Sequence, residues 1–96
     1  MTSRDRRHDK AIEVDPNNAA AYCNRGVVHA GQKEYEEAIA DYTKAIEIDP
    51  NLAMAYLNRA VSNEFSGRVG AAIADYTRTL EVDPDSEQSK RALQRL

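Results

Sequence analysis

The sequence has no tryptophan, a single cysteine, one phenylalanine, two histidines and three prolines among its 96 residues. One thiol, Cys23, cannot form an intrachain disulfide, and nothing else points to an oxidising compartment, so a reduced, cytoplasmic setting is expected. No stretch approaches the roughly 20 apolar residues that a membrane-spanning helix needs, and the opening MTSRDRRHDK lacks the apolar core of a secretory signal. No membrane association is expected. His8 and His29 stand alone, Cys23 has no base at a recognisable spacing, and no glycine-rich phosphate loop or cluster of metal-ligand residues occurs. The expectation is a chain without metal, cofactor or catalytic function.

The net charge of −3 is unevenly spread. Residues 1–10 carry four Lys or Arg against two Asp, residues 87–96 carry three against one Glu, and the stretch between carries six against thirteen acids. Nucleic-acid binding draws most of its affinity from clustered Lys and Arg, so the acidic body argues against a nucleic-acid partner.

What is present is a phrase written more than once. DYTKAIEIDPN at 41–51 returns as DYTRTLEVDPD at 75–85, and its tail appears earlier as AIEVDPNN at 11–18. Pro16, Pro50 and Pro84 are each 34 residues apart. Residues 19–52 laid over 53–86 match at fifteen of 34 positions without a gap, among them Tyr22/Tyr56, Asn24/Asn58, Arg25/Arg59, Asp41/Asp75 and Tyr42/Tyr76. A fixed period of this size marks a solenoid in which each repeat is one supersecondary unit.

Ala38, Ile39, Tyr42, Ala45 and Ile46 fall at helical spacing, and Ala72, Ile73, Tyr76 and Leu80 repeat most of that stripe, which predicts a helix with one apolar face. A second helix precedes it in each unit, at about 19–31 and 53–66, with Tyr22, Gly26 and His29, then Tyr56, Ala60 and Asn63, on one side. Gly26 and Ala60 are small enough to let two helices approach closely. Gly67 is a natural helix stop, and the Asp-Pro pairs end each unit because the residue before proline avoids the helical region. Gly31 comes two residues earlier in its unit than Gly67 does in the next, so the first turn is expected to start sooner. The charges of EYEEAIADY face outward on a solvated helix surface.

The order aromatic, Gly or Ala, Ala, aromatic, Ala, Pro in Tyr22, Gly26, Ala38, Tyr42, Ala45, Pro50 and again in Tyr56, Ala60, Ala72, Tyr76, Thr79, Pro84 resembles the tetratricopeptide repeat. Helical-hairpin repeats that bind RNA use a 35-residue period, whereas the period of 34 and the acidic body favour the tetratricopeptide pattern. The resemblance implies an all-α fold: tandem antiparallel helix hairpins in a right-handed superhelical solenoid. It divides the chain into a basic tail with the remnant of a preceding repeat at 1–18, repeats at 19–52 and 53–86, and a capping helix at 87–96. Thr79 departs from the pattern in the slot of Ala45, and one period before Ala38 and Tyr42 stand Arg4 and His8. Such arrays usually need about three units, because one hairpin cannot bury its own apolar face. Three explanations remain open: a fragment of a longer array, a small domain completed by flanking helices, or a homo-oligomer that completes the stack.

Arg25 and Asp41 are sixteen residues apart, as are Arg59 and Asp75, which suggests an ion pair inside each hairpin that sets helix register. A reading in which the arginines face a ligand stands beside it. The opposite side of the first helices carries Ala20, Cys23, Asn24 and Val27, then Met54, Leu57, Asn58, Val61 and Phe65, about half a helical turn from the tyrosines. In the resembled family this surface lines a concave groove that holds an extended or helical peptide. Here that implies a protein or peptide partner, with Asn24 and Asn58 bracketing its backbone and Leu57, Val61 and Phe65 taking its side chains. Packing of the same residues against a neighbouring repeat or a second copy is the alternative. A subset of the family clamps the terminal carboxylate of heat-shock chaperone tails. The corresponding positions here are Cys23, Val27, Asn58, Gln88 and Ala92, of which only Asn58 matches, so that ligand is not expected. Lys90, Arg91 and Arg95 make the last helix basic, a common cap composition near a helix C-terminus.

Overall fold

The structure is a computed structural model and describes residues 3–96, with side chains from His8 onward. Met1 and Thr2, and the side chains of the basic tail through Arg7, lie outside the described residues. Among those described there are six helices: α1 (Ser3–Val14), α2 (Ala19–Gly31), α3 (Tyr35–Ile48), α4 (Ala53–Phe65), α5 (Val69–Val82) and α6 (Glu87–Arg95). Each packs on the next in chain order, and α2 also touches α4 directly. The result is a stack of helical hairpins, α2/α3 and α4/α5, flanked by α1 and α6, measuring 39 × 25 × 18 Å.

The helix ends follow from local chemistry. Helices α1, α3 and α5 stop one residue before Asp15, Asp49 and Asp83, each followed by proline. Asp49 and Asp83 are extended, both with φ of −132°, as the following ring demands. Each aspartate then accepts from the backbone N–H two residues on, of Asn17 at 3.0 Å, Asn51 at 3.1 Å and Asp85 at 3.2 Å. The Asp-Pro corner is thus an Asx turn repeated at every unit. Asn18 and Ser86 cap the helices that follow, accepting from Ala21 and Ser89.

Inside the hairpins α2 and α4 end in register, at Gly31 and Phe65, so the earlier turn expected from Gly31 does not occur. The left-handed residue that closes each helix sits two positions on: Gly67 at φ 84° in one hairpin and Lys33 at φ 64° in the other. Glu34 N–H reaches His29 O at 2.9 Å and Lys33 N–H reaches Ala30 O at 3.0 Å. Arg68 and Gly67 make the equivalent bonds to Asn63 and Glu64. This paired closure satisfies the last carbonyls in both helices, and the stop is set by that geometry with or without glycine.

The core runs along the inner faces as two clusters. Tyr42, Ala38, Ala45, Cys23 and Ala55 form one, and Tyr76, Ala72, Ala60 and Ala92 form the other. Tyr42 and Tyr76 are almost wholly buried, each filling the space its small partner leaves. A Cβ on Gly26 would lie 2.6 Å from Tyr42 Cε1, so α2 and α3 approach closely because Gly26 has no side chain.

Candidate functional site

Arg25 Nε and Nη2 donate to the two oxygens of Asp41 at 2.9 and 2.8 Å, and Arg59 makes the same fork to Asp75 at 2.8 and 2.8 Å. Both aspartates are buried, at 6% exposure, so each guanidinium balances a charge that water scarcely reaches. The bond to its aspartate holds each arginine above its ordinary pKa. Each arginine has a second partner on the preceding helix: Arg25 Nη1 donates to Asp9 on α1 at 2.9 Å, and Arg59 Nη1 to Thr43 on α3 at 3.1 Å. Asp9 and Thr43 are one 34-residue period apart, so α1 occupies the place that α3 takes one unit later.

Sequence spacing did not reveal two further members of this network. Asn63 Nδ2 donates to Asp75 at 3.1 Å, and His29 Nε2 lies 3.6 Å from Asp41 while its Nδ1 contacts Glu34 at 2.9 Å. The available signal was their shared slot, twelve residues before the duplicated aspartate. Each arginine also lies over a tyrosine ring of its own helix, Arg25 at 5.5 Å from the Tyr22 centroid and Arg59 at 5.8 Å from Tyr56.

The residues of the opposite row divide. Val27, Met54 and Phe65 are exposed by 47%, 57% and 69%, which is high for large apolar side chains. Asn24 is exposed as well, while Leu57, Asn58 and Val61 are half-buried, Leu57 and Val61 resting against the second core cluster. Cys23 departs from the sequence reading: it is 2% exposed and packs with Tyr42 and Ala55. Helix α4 closes over it, bringing Asn58 Nδ2 to 3.8 Å from its sulfur, and burial pushes the thiol pKa up. Cys23 is a core residue, closed off from solvent.

Between the start of α4, the end of α5 and the corner before α6 lies an open pocket of about 430 Å³ lined by Leu52, Ala53, Met54, Leu57, Thr79, Asp83 and Ser86. Its lining is mostly apolar, and Met54 and Leu57 belong to the row just described. At the other end of that row Phe65 stacks on Tyr35, ring centroids 5.8 Å apart and planes within 9°. Tyr35 carries no repeat signal for this role, because Val69 holds its slot in the next unit. Among the described residues no group of three His, Cys, Asp or Glu side chains is placed to hold a metal, and no helix is long and apolar enough to cross a membrane.

The family model described as tetratricopeptide repeat matches residues 19–52. Among solved structures, the TPR domain of Arabidopsis OM64 is 33% identical with a TM-score of 0.89, covering 92% of this chain and 73% of that one. The chain belongs to the tetratricopeptide repeat family. The second TPR domain of human RPAP3, in complex with HSP70 peptide SGPTIEEVD, is 28% identical with a TM-score of 0.86 over 92% of this chain and 73% of that one. The first TPR of Spaghetti (RPAP3), bound to HSP90 peptide SRMEEVD, shares the fold at 24% identity, with a TM-score of 0.89 over 92% and 70% of the two chains. No curated protein matches the chain.

Proposed function

We propose that this chain is a non-catalytic protein-interaction module that binds a segment of another protein along the row formed by α2 and α4, and acts as an adaptor or assembly scaffold. The observation that carries the reading is the row itself. Val27, Met54 and Phe65 stand open to solvent, and the pocket beside Met54 and Leu57 is large enough for an aliphatic side chain. Asn24 offers a donor and an acceptor between the apolar points for the guest's backbone. Two fold relatives are described with bound peptides, which supports a peptide as the guest. Leu57→Glu is the test: it should abolish capture of a partner from extract while helicity and mass stay unchanged, and undiminished capture would sink the reading.

A second reading, self-association, has its own observation. Val69 and Ile73 are exposed by 45% and 38% on α5, one period after Tyr35 and Ile39, which are half-buried, Tyr35 stacked on Phe65 of the following helix. A second copy could cover that shelf and complete the stack. Light scattering across a range of concentrations separates the two, since a concentration-independent monomer excludes this alternative.

A further inference from the structure

We infer that the pocket at the corner between α5 and α6 takes a lysine or arginine side chain of the bound segment, with its aliphatic stem on Leu52, Met54 and Leu57 and its charge against Asp83. This rests on the peptide-binding reading above and specifies one residue of the guest. The cavity of about 430 Å³ falls in the range of small-ligand pockets and admits a long unbranched side chain. Leu52, Met54 and Leu57 give it an apolar wall, and Asp83 is the one charged residue that lines it. A side chain with an apolar stem and a cationic tip meets both features, because the stem covers apolar surface while the charge stays near water.

The repeat explains why this space is open. Ser86 stands one 34-residue period after Leu52, as Leu57 and Thr79 stand one period after Cys23 and Ala45. In the earlier unit Leu52 rests against the core cluster that holds Cys23 and Ala45. In the later unit the short Ser86 side chain turns to the start of α6, where its hydroxyl accepts from the Ser89 N–H at 3.4 Å, and the place beside Leu57 and Thr79 stays open. The charge at that place is unopposed. Asp83 is exposed, accepts from the Asp85 N–H at 3.2 Å and joins no ion pair among the described residues. Two cations near it along the chain have other partners, Arg78 on Glu81 at 2.7 Å and Lys90 by Glu87 at 3.7 Å, and no Lys or Arg lines the pocket. The body around it is acidic, with six Lys or Arg against thirteen Asp or Glu over residues 11–86. An anionic group of a guest would face Asp83 with nothing to offset the repulsion, whereas an ammonium or guanidinium gains a charge-assisted bond.

Panning a random peptide library against the whole chain, followed by titration of a synthetic binder, tests the assignment. The recovered binders should share a Lys or Arg. Asp83→Asn, which keeps the Asx turn, should weaken a binder roughly fivefold, and replacing the binder's key cation by norleucine should give a similar loss that does not add to the first. Asp85→Asn removes the same charge outside the pocket and should change affinity by less than about twofold; equal losses in the two variants would mean a general attraction to the acidic body and overturn the assignment. Ser86→Leu should fill the space and weaken the binder at least as much as Asp83→Asn, and a folded Ser86→Leu chain that binds as before would also overturn it. Should that variant lose its helicity, the Asp83 and Asp85 variants decide alone. Binders without Lys or Arg that still shift the amides of Asn24, Val27 and Phe65 would overturn the pocket assignment and leave the groove standing. Recovery of no binder, or of binders that leave those amides unmoved, would overturn the groove reading and this inference with it.

Discussion

Arg59→Ala isolates what the duplicated ion pair does. It removes both bonds to Asp75, the bond to Thr43 and the contact with the Tyr56 ring, and leaves a carboxylate at 6% exposure with only Asn63 as a close donor. Breaking a buried pair from one side costs about 3–5 kcal/mol, and the remaining Asn63 bond places this case near the lower figure, about 3 kcal/mol. For a domain of this size that is a large share of a total stability of about 5–15 kcal/mol and corresponds to a fall in Tm of about 12–24 °C. Urea and thermal unfolding followed by far-ultraviolet circular dichroism would read it. Combining Arg59→Met with Asp75→Asn should recover at least half of the loss, because the uncompensated charge disappears while an amide at 75 still pairs with Asn63. A cost below about 1 kcal/mol for Arg59→Ala, or a double variant no more stable than the single one, would refute the argument that desolvation of Asp75 dominates.

Gly26→Ala should destabilise the chain by about 1 kcal/mol in urea unfolding, because crowding against buried Tyr42 outweighs the helix-propensity gain of about 1 kcal/mol; a stabilised variant would contradict the close approach. Lys33→Gly should stabilise by about 0.5–1 kcal/mol by relieving a left-handed backbone, and Gly67→Ala should do the reverse by a similar amount, both read from Tm. Glu64 has its folded pKa below the ordinary 4.5, so its contribution is complete above that pH and is lost as pH falls through the lower folded value. The acid limb of a stability–pH curve should therefore flatten in Glu64→Gln. Burial, then the bond to Glu64, pushes Tyr76 up to about 12 from 10.0, so its contribution is complete below pH 10 and is lost as pH rises toward 12. Tyr76→Phe should be less sensitive over that interval.

Helical spacing and a strict period made much of this molecule legible in the sequence, because Tyr42 and Tyr76 recur where a hairpin must be filled and Asp-Pro recurs where a helix must stop. Turn placement was less legible. Gly31 looked like a stop, yet the closure of α2 depends on backbone bonds to His29 and Ala30 that a lysine at φ 64° completes. At the site, spacing named the row of α2 and α4 but could not say which members a neighbouring helix covers. Cys23 is lost to the core because Ala55 and Asn58 of α4 lie over it, a contact 32 to 35 residues distant with no pattern of its own. Tyr35 under Phe65 and the α5 wall of the pocket escaped for the same reason: they depend on how one repeat sits on the next.

The open row is tested most directly by recording amide chemical shifts of the labelled chain while it is titrated with a peptide recovered by library panning. The account predicts that the largest changes follow Asn24, Val27, Met54, Leu57, Asn58 and Phe65. Changes confined to the outer faces of α3 and α5, with that row unmoved, would contradict it.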